Sequence, residues 1–140
     1  MLKGINPLLS PELLKILSEM GHGDELIIAD NGFPSASMAR NLVRADGIDG
    51  VSMLDAVLSV IPLDQADDKN FILMQNAATD PEPGVWEDYE KMLKKHEPQA
   101  HVEFIERFAY YDRAKKAYAI IATGETSPYG NILLKKGCVR

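Results

Sequence analysis

Gly21-His22-Gly23-Asp24-Glu25-Leu26-Ile27-Ile28-Ala29-Asp30-Asn31-Gly32-Phe33-Pro34 sets a short apolar run between a histidine and an aspartate. Leu26 to Ala29 is continuous rather than alternating, and glycines and turn formers bound it. That combination predicts a strand buried on both faces of a sheet. His22 and Asp30 fall just outside the run, and open α/β sheets keep ligand sites in loops at the ends of such strands.

Outward from this strand the chain alternates helices with short apolar strands. Upstream, Ser10-Pro11-Glu12 opens a helix with a serine cap, a proline at the first position and an acid in the first turn. Leu13, Leu14, Ile16, Leu17 and Met20 follow at helical spacing, and Gly21 stops it. Downstream, Asn31-Gly32 supplies residues that tolerate positive φ, and Phe33-Pro34 blocks a helix, so residues 30 to 37 are expected as an irregular loop. Leu42 to Ala45 reads as a strand. Ser52 caps a helix that carries Leu54, Val57, Leu58 and Ile61, and Pro62 ends it.

Further strands are expected at Phe71 to Gln75, His101 to Ile105, Tyr118 to Ala122 and Ile132 to Leu134. Helices are expected at Trp86 to His96, with Trp86, Tyr89, Met92 and Leu93 inward, and at Phe108 to Ala117. The pattern predicts an α/β fold: a three-layer α/β/α single domain over residues 1–140 with a mostly parallel central sheet. Short returns near the C-terminus allow a mixed one.

Composition narrows the function classes. At 46% hydrophobic and 26% charged, the 140 residues match a globular protein, not a disordered or fibrous one. A net charge of −6 repels phosphate backbones and anionic lipid, which argues against nucleic acid and membrane partners. Cys138 is the only cysteine, so no intrachain disulfide forms and no cysteine-rich metal site is available. Gly4, Asn6 and Pro7 interrupt any signal-peptide core after Met1-Leu2-Lys3, and no apolar run reaches the roughly 18 residues of a membrane span. The expected location is the cytoplasm.

No dinucleotide fingerprint, P-loop, zinc-protease helix or nucleophile elbow occurs, so the expected chemistry rests on side chains without cofactor or metal. Two readings compete at each candidate. His22, flanked by glycines, is either an inert loop histidine or a proton carrier. Asp30 is either an Asx-turn residue satisfying the amides of Asn31 and Gly32 or a ligand-binding carboxylate. Arg107 is either paired with Glu103 or Asp112 on the surface or available to a ligand. Tyr129-Gly130-Asn131 is either a plain turn or a set of polar groups suited to sugar hydroxyls. Asp24 and Tyr111 are supporting candidates. If residues 24 to 30 run fully extended, His22 and Asp30 stand roughly 26 Å apart, too far to share one small substrate within one chain.

Beyond these separate readings, the chain resembles the small sugar-mutarotase family that includes the fucose mutarotases and D-ribose pyranase. The similarity runs nearly end to end. It is carried by Pro7-Leu8-Leu9-Ser10-Pro11-Glu12-Leu13-Leu14-Lys15, Gly21-His22-Gly23-Asp24-Glu25, Ile28-Ala29-Asp30 with Phe33-Pro34, and Arg44-Ala45-Asp46-Gly47. It continues through Arg107-Phe108-Ala109-Tyr110-Tyr111-Asp112-Arg113-Ala114, Thr123-Gly124-Glu125 and Tyr129-Gly130-Asn131-Ile132-Leu133-Leu134-Lys135-Lys136-Gly137.

The resemblance implies a cofactor-free isomerase that interconverts the α and β anomers of a free sugar. It implies His22 as general acid and substrate contacts at Asp30, Arg107, Tyr129, Gly130 and Asn131. Arg107 stands where the ribose branch tends to have histidine, which favours L-fucose over D-ribose. The family also implies a ring-shaped homo-oligomer, commonly a decamer, with sites near subunit contacts. Asn31-Gly32 departs from the Ala-Asn type of sequence expected before Phe-Pro, which predicts a different path for that loop. A sugar-binding or transport-accessory protein without turnover is the alternative from another class; an aldose-ketose isomerase is a third.

Overall fold

A computed structural model describes all of residues 1–140. In chain order the elements are α1 (Pro11–Glu19), β1 (Glu25–Ala29), α2 (Ser35–Met38), β2 (Leu42–Ala45), α3 (Gly50–Leu58), β3 (Phe71–Met74), α4 (Val85–His96), β4 (Glu103–Ile105), α5 (Arg107–Lys116), β5 (Ala119–Thr123) and β6 (Ile132–Lys135). The six strands form one sheet in the order β2-β5-β1-β6-β3-β4. β1, β2 and β5 run parallel, as do β3 and β4, and β6 lies antiparallel between β1 and β3. The expected α/β sheet is therefore present, mostly parallel and made mixed by β6 alone, and the C-terminal ends of the five parallel strands share one edge.

The strand that organises the sequence is also central in space. Leu26, Ile27, Ile28 and Ala29 of β1 are all fully buried. Alternation sends Leu26 and Ile28 into a core with Leu13 and Leu17 of α1, Leu54 and Val57 of α3, and Tyr89 and Leu93 of α4. Ile27 and Ala29 face a smaller core with Phe33 and with Tyr110 and Ala114 of α5. Helices thus cover both faces, which is why β1, β3 and β5 read as continuous apolar runs.

Local signals place most boundaries. Ser10 caps α1 by accepting from the Leu13 amide at 3.1 Å, as expected. Two expectations are corrected. α3 begins at Gly50, not after Ser52, because the Asp49 carboxylate takes both the Ser52 amide at 3.0 Å and its hydroxyl at 2.7 Å. The chain between Asp30 and Ser37 is not wholly irregular, since α2 begins immediately after Pro34 and hydrogen-bonds Ala39 back to Ser35. No helix is long and apolar enough to cross a membrane.

The loop after β5 passes so close to the loop after β2 that a Cβ on Gly124 would lie 2.0 Å from the Asp46 carbonyl oxygen. Backbone cannot yield as a side-chain tip can. Gly124→Ala is expected to cost about 1–3 kcal/mol through overpacking, seen as a lower guanidinium midpoint with an unchanged slope.

Candidate active site

Asp30 follows β1 and Asn131 precedes β6, so the mixed sheet sets these two loops side by side. Two reciprocal bonds join them: the Asp30 amide donates to Asn131 Oδ1 at 2.8 Å, and the Gly130 amide donates to Asp30 Oδ2 at 3.2 Å. Asp30 Oδ1 accepts from the Gly32 amide at 3.0 Å, whereas the Asn31 amide donates instead to the Glu125 carbonyl. The Asx-turn reading is thus half met, and the carboxylate also bonds across 100 residues. Asp30 is only 7% exposed. Burial raises its pKa from the usual carboxylate value, against the lowering effect of the Gly32 and Gly130 amides.

The turn from 127 to 131 is shaped from behind. Glu125, itself buried, accepts from the Gly50 amide at 3.1 Å and the Ser127 amide at 2.9 Å. Tyr89 Oη donates to the Gly130 carbonyl at 2.9 Å, and Trp86 Nε1 to the Tyr129 carbonyl at 2.9 Å. Tyr129 carries a φ of 57°, the only non-glycine residue in the left-handed region. The positive φ expected at Asn31-Gly32 is found here and at Gly4 and Gly23 instead. Gly130 is enclosed by Ser127, Glu125 and Tyr89, and an added Cβ would lie 2.9 Å from the Ser127 carbonyl oxygen.

These loops and the start of α5 enclose an open cavity of about 390 Å³, lined by Asp30, Asn31, Gly32, Phe33, Met74, Asp80, Arg107, Tyr111, Thr126, Pro128, Tyr129 and Asn131. Arg107 is the first residue of α5, where Glu106 caps the helix by accepting from the Phe108 and Ala109 amides. Its guanidinium pairs with neither Glu103 nor Asp112. It donates to Tyr111 Oη at 3.0 Å and lies 5.3 Å from the Tyr111 ring centroid, which leaves its other N–H groups free for a ligand. A second polar cavity of about 440 Å³ adjoins the first across Asp30, Asn31 and Phe33, with Arg44, Asp46 and Thr123 on its far wall.

The structure therefore gathers Asp30, Arg107, Tyr111, Tyr129 and Asn131 at one cavity and sets Gly130 behind it. It places His22 and Asp24 elsewhere. His22 precedes β1 and Asp30 follows it, so the strand's five residues, about 16 Å of chain, stand between them. Asp24 Oδ2 accepts from the Gly21 amide at 2.8 Å and closes the turn that carries the imidazole.

At that opposite edge His22 has a partner that sequence reasoning missed. Its Nε2 donates to Asp64 Oδ1 at 2.8 Å; Asp64 is buried, and the imidazole is about half exposed. The end of β6 makes this meeting possible. The Gly23 amide donates to the Lys136 carbonyl on one side, and the Asp64 amide donates to the Lys135 carbonyl on the other. With Nε2–H committed to Asp64, Nδ1 is the ring atom left for the surface: it donates when the ring is protonated and accepts once that proton has been given up. Asp80 was missed as well: it accepts from Tyr129 Oη at 2.5 Å. An aspartate in a polar loop carries no local signal of a partner many residues away.

A mixed α/β sheet with a hydroxyl-, carboxylate- and guanidinium-lined cavity at the ends of its parallel strands defines a protein built to hold a small polar ligand. The chain belongs to the RbsD / FucU transport protein family, whose profile matches residues 3–139. It is 48% identical over 139 residues to an L-fucose mutarotase of Actinobacillus pleuropneumoniae, covering 98% of this chain and 96% of that one. The fucose mutarotase of Homo sapiens is 45% identical, with 97% and 93% covered. The crystal structure of the fucose mutarotase from Streptococcus pneumoniae in complex with L-fucose superposes with a TM-score of 0.95 at 45% identity, covering 99% of this chain and 100% of that one.

The His22 bond holds the Asp64 carboxyl below its usual value of 3.8. A depressed folded pKa means the unfolded chain binds the proton more readily, so this stabilisation is complete above 3.8 and is lost as pH falls through the folded value. His22→Ala should therefore destabilise the protein more at pH ~5 than at pH ~3, measured by denaturant melts at the two values.

Proposed function

We propose that this chain interconverts the α and β anomers of L-fucose by acid/base opening and closing of the sugar ring. The full-length likeness to a fucose mutarotase that holds L-fucose carries the reading. It is supported by a cavity in which Asp30, Arg107, Tyr129 and Asn131 converge.

Mutarotation needs one group to take the anomeric hydroxyl proton and one to protonate the ring oxygen. Each positioned proton carrier contributes about 10²- to 10⁴-fold in rate. Asp30, held by two amides, accepts from sugar hydroxyls; Asn131 fixes Asp30; Arg107 donates to sugar oxygens and, being always protonated, cannot serve as the acid. His22 is the acid. Asp64 holds its tautomer and orientation, as a carboxylate behind a catalytic imidazole does.

Within one chain His22 stands across the sheet from the cavity. The acid therefore comes from a neighbouring subunit, and a closed homo-oligomeric ring, a decamer by family resemblance, presents each copy's His22 to the next copy's cavity. Residues 1–140 act as a single sugar-binding domain. The cytoplasm suits the unpaired Cys138 and a free-sugar substrate.

Saturation-transfer NMR on equilibrated L-fucose reads exchange between the two anomeric protons directly. Wild-type protein at micromolar concentration should accelerate it, and His22→Ala should lower that acceleration at least about 100-fold. Binding of fucose with no faster exchange would replace the reading with a sugar carrier; faster exchange of D-ribose than of L-fucose would move it to the pyranase branch.

Co-refolding His22→Ala with Arg107→Ala tests the shared site. Random mixing should restore about one quarter of the active sites, because each intact site needs one subunit of each kind. No recovery in mixed oligomers would sink the two-subunit site.

A further inference from the structure

Tyr129 brings a phenol to the cavity, and the structure settles which way its hydrogen points. Tyr129 Oη donates to Asp80 Oδ2 at 2.5 Å and accepts from the Ala77 amide at 3.3 Å. The loop after β3 builds Asp80 into this position. The Asp80 amide donates to the Ala77 carbonyl at 3.0 Å, the Asp80 carbonyl accepts from Asn76 Nδ2 at 2.7 Å, and Gln75 Nε2 donates to Asn76 Oδ1 at 2.6 Å.

From the other side, the left-handed backbone at Tyr129 and the bonds from Trp86 and Tyr89 aim the ring. Asp80 and Tyr129 line the same cavity as Asp30 and Arg107. A free phenol is donor or acceptor indifferently. With its hydrogen on Asp80 and one lone pair on the Ala77 amide, this one offers a ligand a single accepting lone pair.

We propose that Asp80 is a positioning residue that turns Tyr129 into the proton acceptor for the anomeric hydroxyl and takes the phenol's own hydrogen in the same step. The proposal rests on the mutarotase reading and deepens it. As the anomeric O–H bond breaks, its proton bonds to Tyr129 Oη while the original phenolic hydrogen moves to the Asp80 carboxylate. The pair left on the anomeric oxygen forms the carbonyl of the open aldehyde. The bond from C1 to the ring oxygen breaks with its pair on that oxygen, which is protonated from the acid side. Rotation about C1–C2 and the reverse sequence give the other anomer, and no atom changes oxidation state overall. Phenol alone is a poor base while it keeps its hydrogen, and the carboxylate removes that obstacle.

Asp80→Asn preserves shape and an accepting oxygen but not a base, and Asp80 lies in an exposed loop outside both cores, so folding survives. The anomer-exchange kcat should fall about 10- to 100-fold while fucose affinity by calorimetry stays within about 2-fold. In a Tyr129→Phe background the same substitution should change nothing further, because its only route to the substrate is gone. Unchanged exchange in Asp80→Asn, or costs of the two substitutions that multiply, overturn the relay. Wild-type protein that leaves fucose at its uncatalysed rate overturns the mutarotase reading and the relay together. A [13Cζ]tyrosine label reports the contact without turnover: the Tyr129 resonance should move in Asp80→Asn and in Asp80→Ala, and a resonance that stays put overturns the positioning role.

Discussion

The paired bonds between Asp30 and the segment Gly130-Asn131 are the contact on which the cavity depends. Each donor and acceptor is buried, and an unmade bond there costs about 1–3 kcal/mol in desolvation alone. The clasp joins the C-terminal end of β1 to the entry of β6 and so fixes where the turn at Tyr129 stands. Glu125 and Tyr89 reach the same turn from behind through buried bonds. Three segments distant in sequence, at Asp30, Tyr89 and residues 125–131, are thereby locked together, and the Asp30 carboxylate at their meeting point is largely shielded from water.

The antiparallel insertion of β6 has consequences at both of its ends. At its start it brings Asn131 against Asp30. At its finish it carries Lys135 and Lys136 between two loops, and their carbonyls collect the Gly23 and Asp64 amides that bring His22 to its carboxylate. One strand therefore organises a ligand cavity on one edge of the sheet and a histidine-aspartate pair on the other. A monomer cannot bring these together, because the strand that arranges both also holds them apart. In the homo-oligomer proposed above, that separation is what would let each copy offer its histidine to another copy's cavity.

Polar pairs at the two edges share a pattern. In each, an imidazole or a phenol is oriented by a carboxylate contributed by a different loop: His22 by Asp64, Tyr129 by Asp80. The carboxylate fixes the hydrogen that points toward it and so which atom of the oriented group is left to face outward. Arg107 differs. Its orientation comes from within α5, where Tyr111 one turn along supports the guanidinium, so this part of the cavity is written into a single helix.

Local sequence determined what local physics governs. Apolar runs specified the buried strands, and helical spacing with caps such as Ser10 specified α1 and α4, because propensity, periodicity and capping act within a few residues. The bracketing of β1 by His22 and Asp30 was legible, as was the consequence that a fully extended strand separates them. The α3 boundary at Asp49 was misjudged because two candidate caps lay three residues apart and the carboxylate won. Asp64 and Asp80 were illegible. They sit 42 and 49 residues from the side chains they orient, in polar loops where an aspartate is ordinary. Only the strand order, with β6 turned antiparallel between β1 and β3, decided those meetings, since hydrogen bonding across a sheet depends on which strands become neighbours and not on any residue's immediate sequence.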